Sequence, residues 1–358
     1  MQYNKITVSG YRNDYIDFLR GLAAICIVAI HTAFWSGGSY TPAWFQNMTL
    51  LVDVPFFFYL SGWGASYNKF SFIKAVNGLI NIWKKWIFFV TLVALFCYFS
   101  SYCPIKFEGV KDIVDLVNNY IFAVSIKGFC VIAGSVWFMP WYLSVFLLNT
   151  LIVIFLDKTE NPLNCHNFYL VFLVISFVWT CYHSTFSQMP VRYFLFYSFF
   201  WMLGVNRFGK QTSFYGFLFF IFICIVGFLG SSYLQGLSIA ELQKAKFPPS
   251  LKYGFASMFV ILVAKYFEGK MLHNNNFITH IGSIAIFYYF AQGIGSSLSY
   301  YVVSFLSIQY WFLKWVIVFL FNLLTTILLA ETLARLYYYS AKFLSNLTFY
   351  VCKNFEKN

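Results

Sequence analysis

The chain has 358 residues, of which 60% are hydrophobic and 10% charged, whereas soluble domains carry roughly 45–50% apolar and about 25% charged residues. This composition excludes an ordinary soluble protein and predicts an all-α, polytopic integral membrane helix bundle. The net charge of +12 does not point to nucleic acid, because Lys and Arg are scattered between apolar runs rather than gathered in one stripe.

Met1 to Asp14 is polar and no small-residue cleavage site follows the first apolar run, so no secretory leader is expected. A bilayer-spanning helix needs about 20 mostly apolar residues. Ten runs qualify, at roughly 15–35, 47–67, 78–100, 136–156, 168–184, 191–206, 213–233, 250–267, 278–298 and 308–339. The last is long enough to project beyond the bilayer. Residues 101–135 are polar at first and then mixed, and read as a surface or partly re-entrant helix. With no repeat of 20–50 residues and no low-complexity linker, residues 1–358 are expected to form a single transmembrane domain.

Cytoplasmic loops of membrane proteins are enriched in Lys and Arg. With the N-terminus inside, fifteen such residues, Lys265 among them, fall on the inner side. Six fall outside: Lys106, Lys111, Lys127, Arg192, Lys244 and Lys246. Arg20, Lys252 and Lys314 are left within spans. Both termini are therefore expected in the cytoplasm. Several Trp and Tyr end the apolar runs, where amphipathic rings favour the headgroup layer. The eight cysteines show no CxxC, and Cys181-x-His183 lacks a second pair at zinc-site spacing, so no metal is expected. Most cysteines read as packing residues, with a Cys103–Cys130 bridge left open.

The first span, "LRGLAAICIVAIHTAFW", holds Arg20 and His31. Eleven residues turn a helix by about 1100°, three turns plus roughly 20°, so the two share a face about 16 Å apart along the axis. Ionisable groups inside a span are costly unless they face protein or water, and they mark functional sites by default. Two other readings stay open: Arg20 snorkels to the inner headgroups, and a neighbouring carbonyl satisfies a neutral His31. On the second span, Asp53 lies about 9 Å below the outer surface at 1.5 Å per residue, near the depth of His31. A carboxylate there would orient the imidazole and raise its basicity. Alternatively, Asp53 caps its helix or is solvated at a funnel mouth. Ser61, Gly62 and Gly64 fall near the depth of Arg20, where small residues let helices approach or leave room for an extended ligand.

The segment "KFSFIKAVNGLINIWKKW", Lys69 to Trp86, carries four lysines. It reads either as an anchor on anionic lipid or as a landing site for a phosphorylated ligand through Lys84 and Lys85.

Arg20-x10-His31, the "FFFYLSGWG" second span and the basic inner segment together resemble the membrane-integral acyltransferase type 3 family. "SVWFMPWYLSVFLLN" (135–149), "KFPPSLKYGFASM" (246–258) and "IGSIAIFYYFAQGIGSSL" (281–298) resemble its later stretches. The likeness runs from about residue 11 to 340. Lys84 and Lys85 stand where many relatives have arginines. Gln292 stands where a late span often bears His, and "HTAFWSGG" lacks the acidic residue common after the histidine.

The resemblance implies a membrane-embedded O-acyltransferase, an acetyltransferase using cytoplasmic acetyl-coenzyme A. Its acceptor would be a hydroxyl of a bacterial surface polysaccharide or its lipid-linked precursor. It also implies a multi-pass protein of the inner membrane, whose partners are membrane lipids and the carbohydrate. Arg20, Ser61, Lys84 and Lys85 would serve the donor. His31 would be the general base, with Asp53 beside it. Trp137 and Tyr142 are candidate oxyanion or acceptor donors, with Trp137 otherwise a packing residue or interface anchor, and Gln292 is a candidate for an acceptor hydroxyl or for a structural hydrogen bond between helices. The alternatives are a proton-coupled exporter of a glycan or small metabolite, and transfer of another acyl group such as succinyl.

Overall fold

The computed structural model describes residues 13–37, 40–100, 137–183, 189–208, 213–269 and 276–355. The region 101–135, with the Cys103–Cys130 pair, lies outside them. Among the described residues the chain is helical and free of strands. Thirteen helices follow in order: α1 Asp14–Trp35, α2 Ala43–Thr49, α3 Val54–Ala65, α4 Phe72–Ser100, α5 Met139–Leu156, α6 Pro162–His183, α7 Met189–Val205, α8 Phe214–Leu234, α9 Leu242–Lys246, α10 Leu251–Tyr266, α11 Phe277–Ser283, α12 Ala285–Phe305 and α13 Trp311–Phe355.

Each of the ten apolar runs coincides with one helix or with a helix pair broken by a few residues. By length and apolarity seven stretches among the described residues are fit to cross a membrane, or eight if α11 and α12 count as one span. The 17-residue α7 and the 16-residue α10 are shorter. The run at 47–67 is broken at 50–53, where Pro55 near the start of α3 suits a helix's first turn because proline's missing N–H is not needed there. At about 1.5 Å per residue the 45 residues of α13 extend some 68 Å, more than twice the hydrocarbon thickness.

The chain divides into two compact units, each built from separated segments. One comprises the chain up to Ala23, Leu50–Asn77 and Trp141–Ser283; the other comprises Ala24–Thr49, Gly78–Pro140 and the chain from Ile284 onward.

In the first unit α7 is the centre. Arg192, Leu195 to Ser198 and Phe200 to Val205 are all buried, as expected of a helix apolar on every side. Its tightest partner is α3. An added Cβ on Gly62 would stand 1.9 Å from the carbonyl oxygen of Trp201, and one on Gly204 2.1 Å from that of Tyr59. Two glycines therefore let the backbones touch, the small-residue packing of membrane helices. Asn149 crosses the same unit: its Nδ2 donates to Ser198 Oγ at 2.8 Å and its Oδ1 accepts from Tyr169 OH at 2.8 Å. This joins α5, α6 and α7. The outward faces of α6 and α8 expose Phe168, Phe172, Ile175, Phe219 and Phe222, a surface suited to lipid rather than water.

In the second unit α12 packs along α13 and meets α4 through aromatic rings. Phe290 stacks on Phe89 with centroids 4.6 Å apart and abuts Trp86 at 5.8 Å. A second cluster joins α2 to the start of α13, with Phe45 5.1 Å from Trp311 and 4.8 Å from Trp315. Cys26, Cys165, Cys181 and Cys224 are free thiols.

Candidate active site

The first unit holds Arg20, Asp53, Ser61 and Tyr142. Arg20, one third exposed, pairs through Nη1 with Asp17 Oδ1 at 3.2 Å. Asp17 lies one turn earlier on α1, is 2% exposed, and faces the same way by its i, i+3 spacing. The other arm of the guanidinium donates to the Leu60 carbonyl at 3.4 Å. A Cβ on Gly64 would stand 2.8 Å from that Nη2, so glycine leaves the cation its place. One residue beyond Leu60, Ser61 Oγ and Tyr142 OH lie 3.1 Å apart. Within one turn of α3 the fold thus gathers a cation, a serine hydroxyl and a phenol. The sequence nominated all three, without a reason to join Tyr142 to the others.

Asp53 stands at the N-cap of α3, yet its carboxylate makes no capping bond. Nor is it solvated, being 2% exposed. Its Oδ2 is 2.6 Å from Lys246 Nζ and accepts from Tyr253 OH at 2.8 Å. Lys246 ends α9 and Tyr253 lies in the first turn of α10; between them runs Phe-Pro-Pro-Ser, whose Pro249 carbonyl accepts from Arg192 Nε at 2.7 Å. The Lys-Phe-Pro-Pro-Ser stretch therefore begins with one partner of a buried ion pair.

Lys246 and Arg192, counted above as loop charges, are 6% and 8% exposed, and Lys265 is 5% exposed. Lys265 Nζ sits 3.8 Å from the Trp63 ring centre and 2.5 Å from Glu268 Oε2. Charge counting assumes that cations between apolar runs are in water. Lys246 and Lys265 are paired with carboxylates and Arg192 is hydrogen-bonded to a backbone carbonyl, which relieves the cost of burying them. Asp17, Lys246 and Tyr253 were missed as site residues. Only Asp17 had a local signal, its helical spacing from Arg20.

The second unit holds His31, Lys84, Lys85, Trp137 and Gln292. His31 is half-buried on α1 with its Nδ1 inside. Lys84 is exposed on α4, while Lys85 is half-buried with its ammonium 5.8 Å from the Phe287 ring centre. Trp137 is half-buried just before α5. Gln292, on α12, is 1% exposed, and neither atom of its amide has a hydrogen-bond partner among the described residues. A buried amide normally has partners, so this side chain is suited to a group that the described residues do not supply.

Long apolar helices with lipid-suited outer faces, and charged side chains paired inside, define a multi-pass helical membrane protein. The chain belongs to the acyltransferase type 3 family: that family's model, described as an acyltransferase domain, matches residues 13–331. It is thus a membrane acyltransferase. No curated protein and no solved structure matches it.

Proposed function

We propose that this acyltransferase moves an acetyl group from cytoplasmic acetyl-coenzyme A to a hydroxyl of a bacterial surface polysaccharide or its lipid-linked precursor, in the inner membrane. The observation that carries the reading is the family match over 13–331, which takes in Arg20 and His31 together with every other nominated residue.

In this reading His31 is the general base. It takes the proton of the acceptor hydroxyl while that oxygen attacks the thioester carbonyl. The C–S bond then breaks, and the thiolate of coenzyme A leaves with the proton returned from the imidazole, so proton and electron pairs balance. A covalent acyl-histidine is the alternative course. Arg20, Lys84 and Lys85 take the donor's phosphates, and Ser61 lies along its arm. Tyr142 or Trp137 donates to the oxyanion. Gln292 receives an acceptor hydroxyl, the role best supported by its unpartnered buried amide. Asp53 serves the site from its bonds to Lys246 and Tyr253.

The test is transfer from radiolabelled acetyl-coenzyme A by purified protein to the host's own glycan, beside His31→Ala. Acetylated product from the native protein and none from the variant is expected. An unchanged rate in His31→Ala overturns the base assignment. Movement of glycan across vesicles without acylated product supports the exporter instead. Asp53→Asn is expected to lower the rate more than it weakens donor binding, and equal loss of both counts against a role for Asp53 in the chemistry.

A further inference from the structure

The apolar run of α13, "WFLKWVIVFLFNLLTTILLA", contains one amide, Asn322, which is fully buried in the second unit. Every polar atom of its side chain is used. Nδ2 donates to Thr32 Oγ1 at 2.9 Å and to Ser296 Oγ at 3.0 Å, and Oδ1 accepts from Thr326 Oγ1 at 3.3 Å. The directions are fixed: an amide nitrogen has two hydrogens, and the Thr32 hydroxyl spends its own on the Val28 carbonyl at 2.8 Å. Thr32, Ser296 and Thr326 are each fully buried as well. Gly295 makes room for the group, since a Cβ there would stand 2.5 Å from Asn322 Oδ1 and 2.7 Å from Thr326 Oγ1.

The network ties α1, α12 and α13 at one point, and its contact on α1 is the residue directly after His31. A helix turning about its axis by a fraction of a residue would move the imidazole sideways and break the Thr32 bond at once. Apolar packing between membrane helices tolerates such rotation better than a directional bond does.

We propose that Thr32, Asn322 and Ser296 are positioning residues: their hydrogen bonds set the rotation of α1 and so hold the His31 imidazole at its reacting angle. The inference rests on the reading of His31 as the base. Thr32→Val keeps the shape of the side chain and removes the acceptor; Thr32→Ser keeps the acceptor.

The experiment measures kcat and KM for acetyl-coenzyme A on purified native protein, His31→Ala, Thr32→Val, Thr32→Ser and Ser296→Ala, with the thermal midpoint of each in detergent. Thr32→Val is expected to lower kcat by about tenfold to a hundredfold, the range for a reacting group displaced by up to about 1 Å. KM should stay within about twofold and the midpoint within a few degrees, with Thr32→Ser near the native rate. Ser296→Ala, which leaves the Thr32 bond in place, should lose only a few-fold in kcat.

A native rate in Thr32→Val with an inactive His31→Ala overturns this inference and leaves the base assignment standing. Activity in His31→Ala overturns the base assignment itself. Equal losses in Thr32→Val and Thr32→Ser, or a loss that only follows the folded fraction, reduce the network to structure and overturn the proposal. If Thr32→Val does not accumulate, a native kcat in Ser296→Ala overturns it.

Discussion

Lys246 Nζ lies 2.6 Å from Asp53 Oδ2, with the two side chains 8% and 2% exposed. The pair brings together the segment before α3 and the end of α9, and Tyr253 shares the same oxygen. Removing one partner of a buried pair costs about 3–5 kcal/mol, because the other charge stays behind uncompensated, whereas neutralising both is often tolerated. Lys246→Met is therefore expected to lower the thermal midpoint sharply. Lys246→Met combined with Asp53→Asn should regain most of the loss, since asparagine keeps an acceptor for Tyr253. A double variant as unstable as the single one would show that something other than the stranded carboxylate is responsible.

The contact of α3 with α7 gives a second expectation. At Gly62 an added Cβ meets the Trp201 carbonyl oxygen at 1.9 Å, whereas at Gly230 on α8 nothing lies within 4 Å. The first obstacle is backbone and cannot rotate aside. Gly62→Ala should cost about 1–3 kcal/mol despite alanine's better helix propensity. Gly230→Ala should be neutral or stabilise by up to about 1 kcal/mol. Denaturation of the two purified variants separates them, and equal stability would contradict the close approach.

The helices were legible because an apolar run bounded by polar residues has few alternatives in a bilayer. The run expected at 168–184 falls on one helix, Pro162–His183, while the run at 47–67, read as one span, is broken at 50–53, a break marked in the sequence by Pro55 near the start of α3. The site was legible where a signal is local. Arg20 and His31 stood out because a span rarely carries ionisable groups. Asp53 also stood out, but its partner did not. Lys246 looks like any loop lysine until folding buries it beside a carboxylate far away in the chain. Asn322 is similar: its amide in an apolar run announces a need for partners, yet only the packing of α1, α12 and α13 names Thr32 and Ser296.

Glu241 supplies a pH dependence outside the spans. Its carboxylate accepts from Lys244 and from the Ser238 N–H, and these bonds hold its pKa down to about 2. A carboxyl with a depressed folded value stabilises the fold above its unfolded pKa of about 4.3 and loses that contribution as pH falls towards the folded value. The stability difference between native protein and Glu241→Gln should thus stay flat between about pH 5 and 8 and shrink between about pH 4 and 2. Because the pair is exposed and screened, the difference should be small and fall with added salt. A difference that changes between about pH 6 and 8 would implicate another group, since no carboxylate so held titrates there.

Ser61 and Tyr142 are the two nominated site residues that the fold bonds to each other, with Oγ and OH 3.1 Å apart. If that bond keeps the phenol where an oxyanion forms, the two hydroxyls act as one unit, and removing either should spoil the other's contribution. Ser61→Ala and Tyr142→Phe should each lower kcat. The double variant should be less impaired than the product of the two, with a coupling of about 0.5–1.5 kcal/mol. The phenol of Tyr142 also packs against Phe58, with ring centroids 5.7 Å apart. Tyr142→Phe preserves that contact, so a rate loss there reports the hydroxyl alone. Strictly multiplicative losses would mean that the hydroxyls act separately, Ser61 on the donor's arm and Tyr142 on the reacting carbonyl, and the hydrogen bond between them would then contribute nothing to the rate.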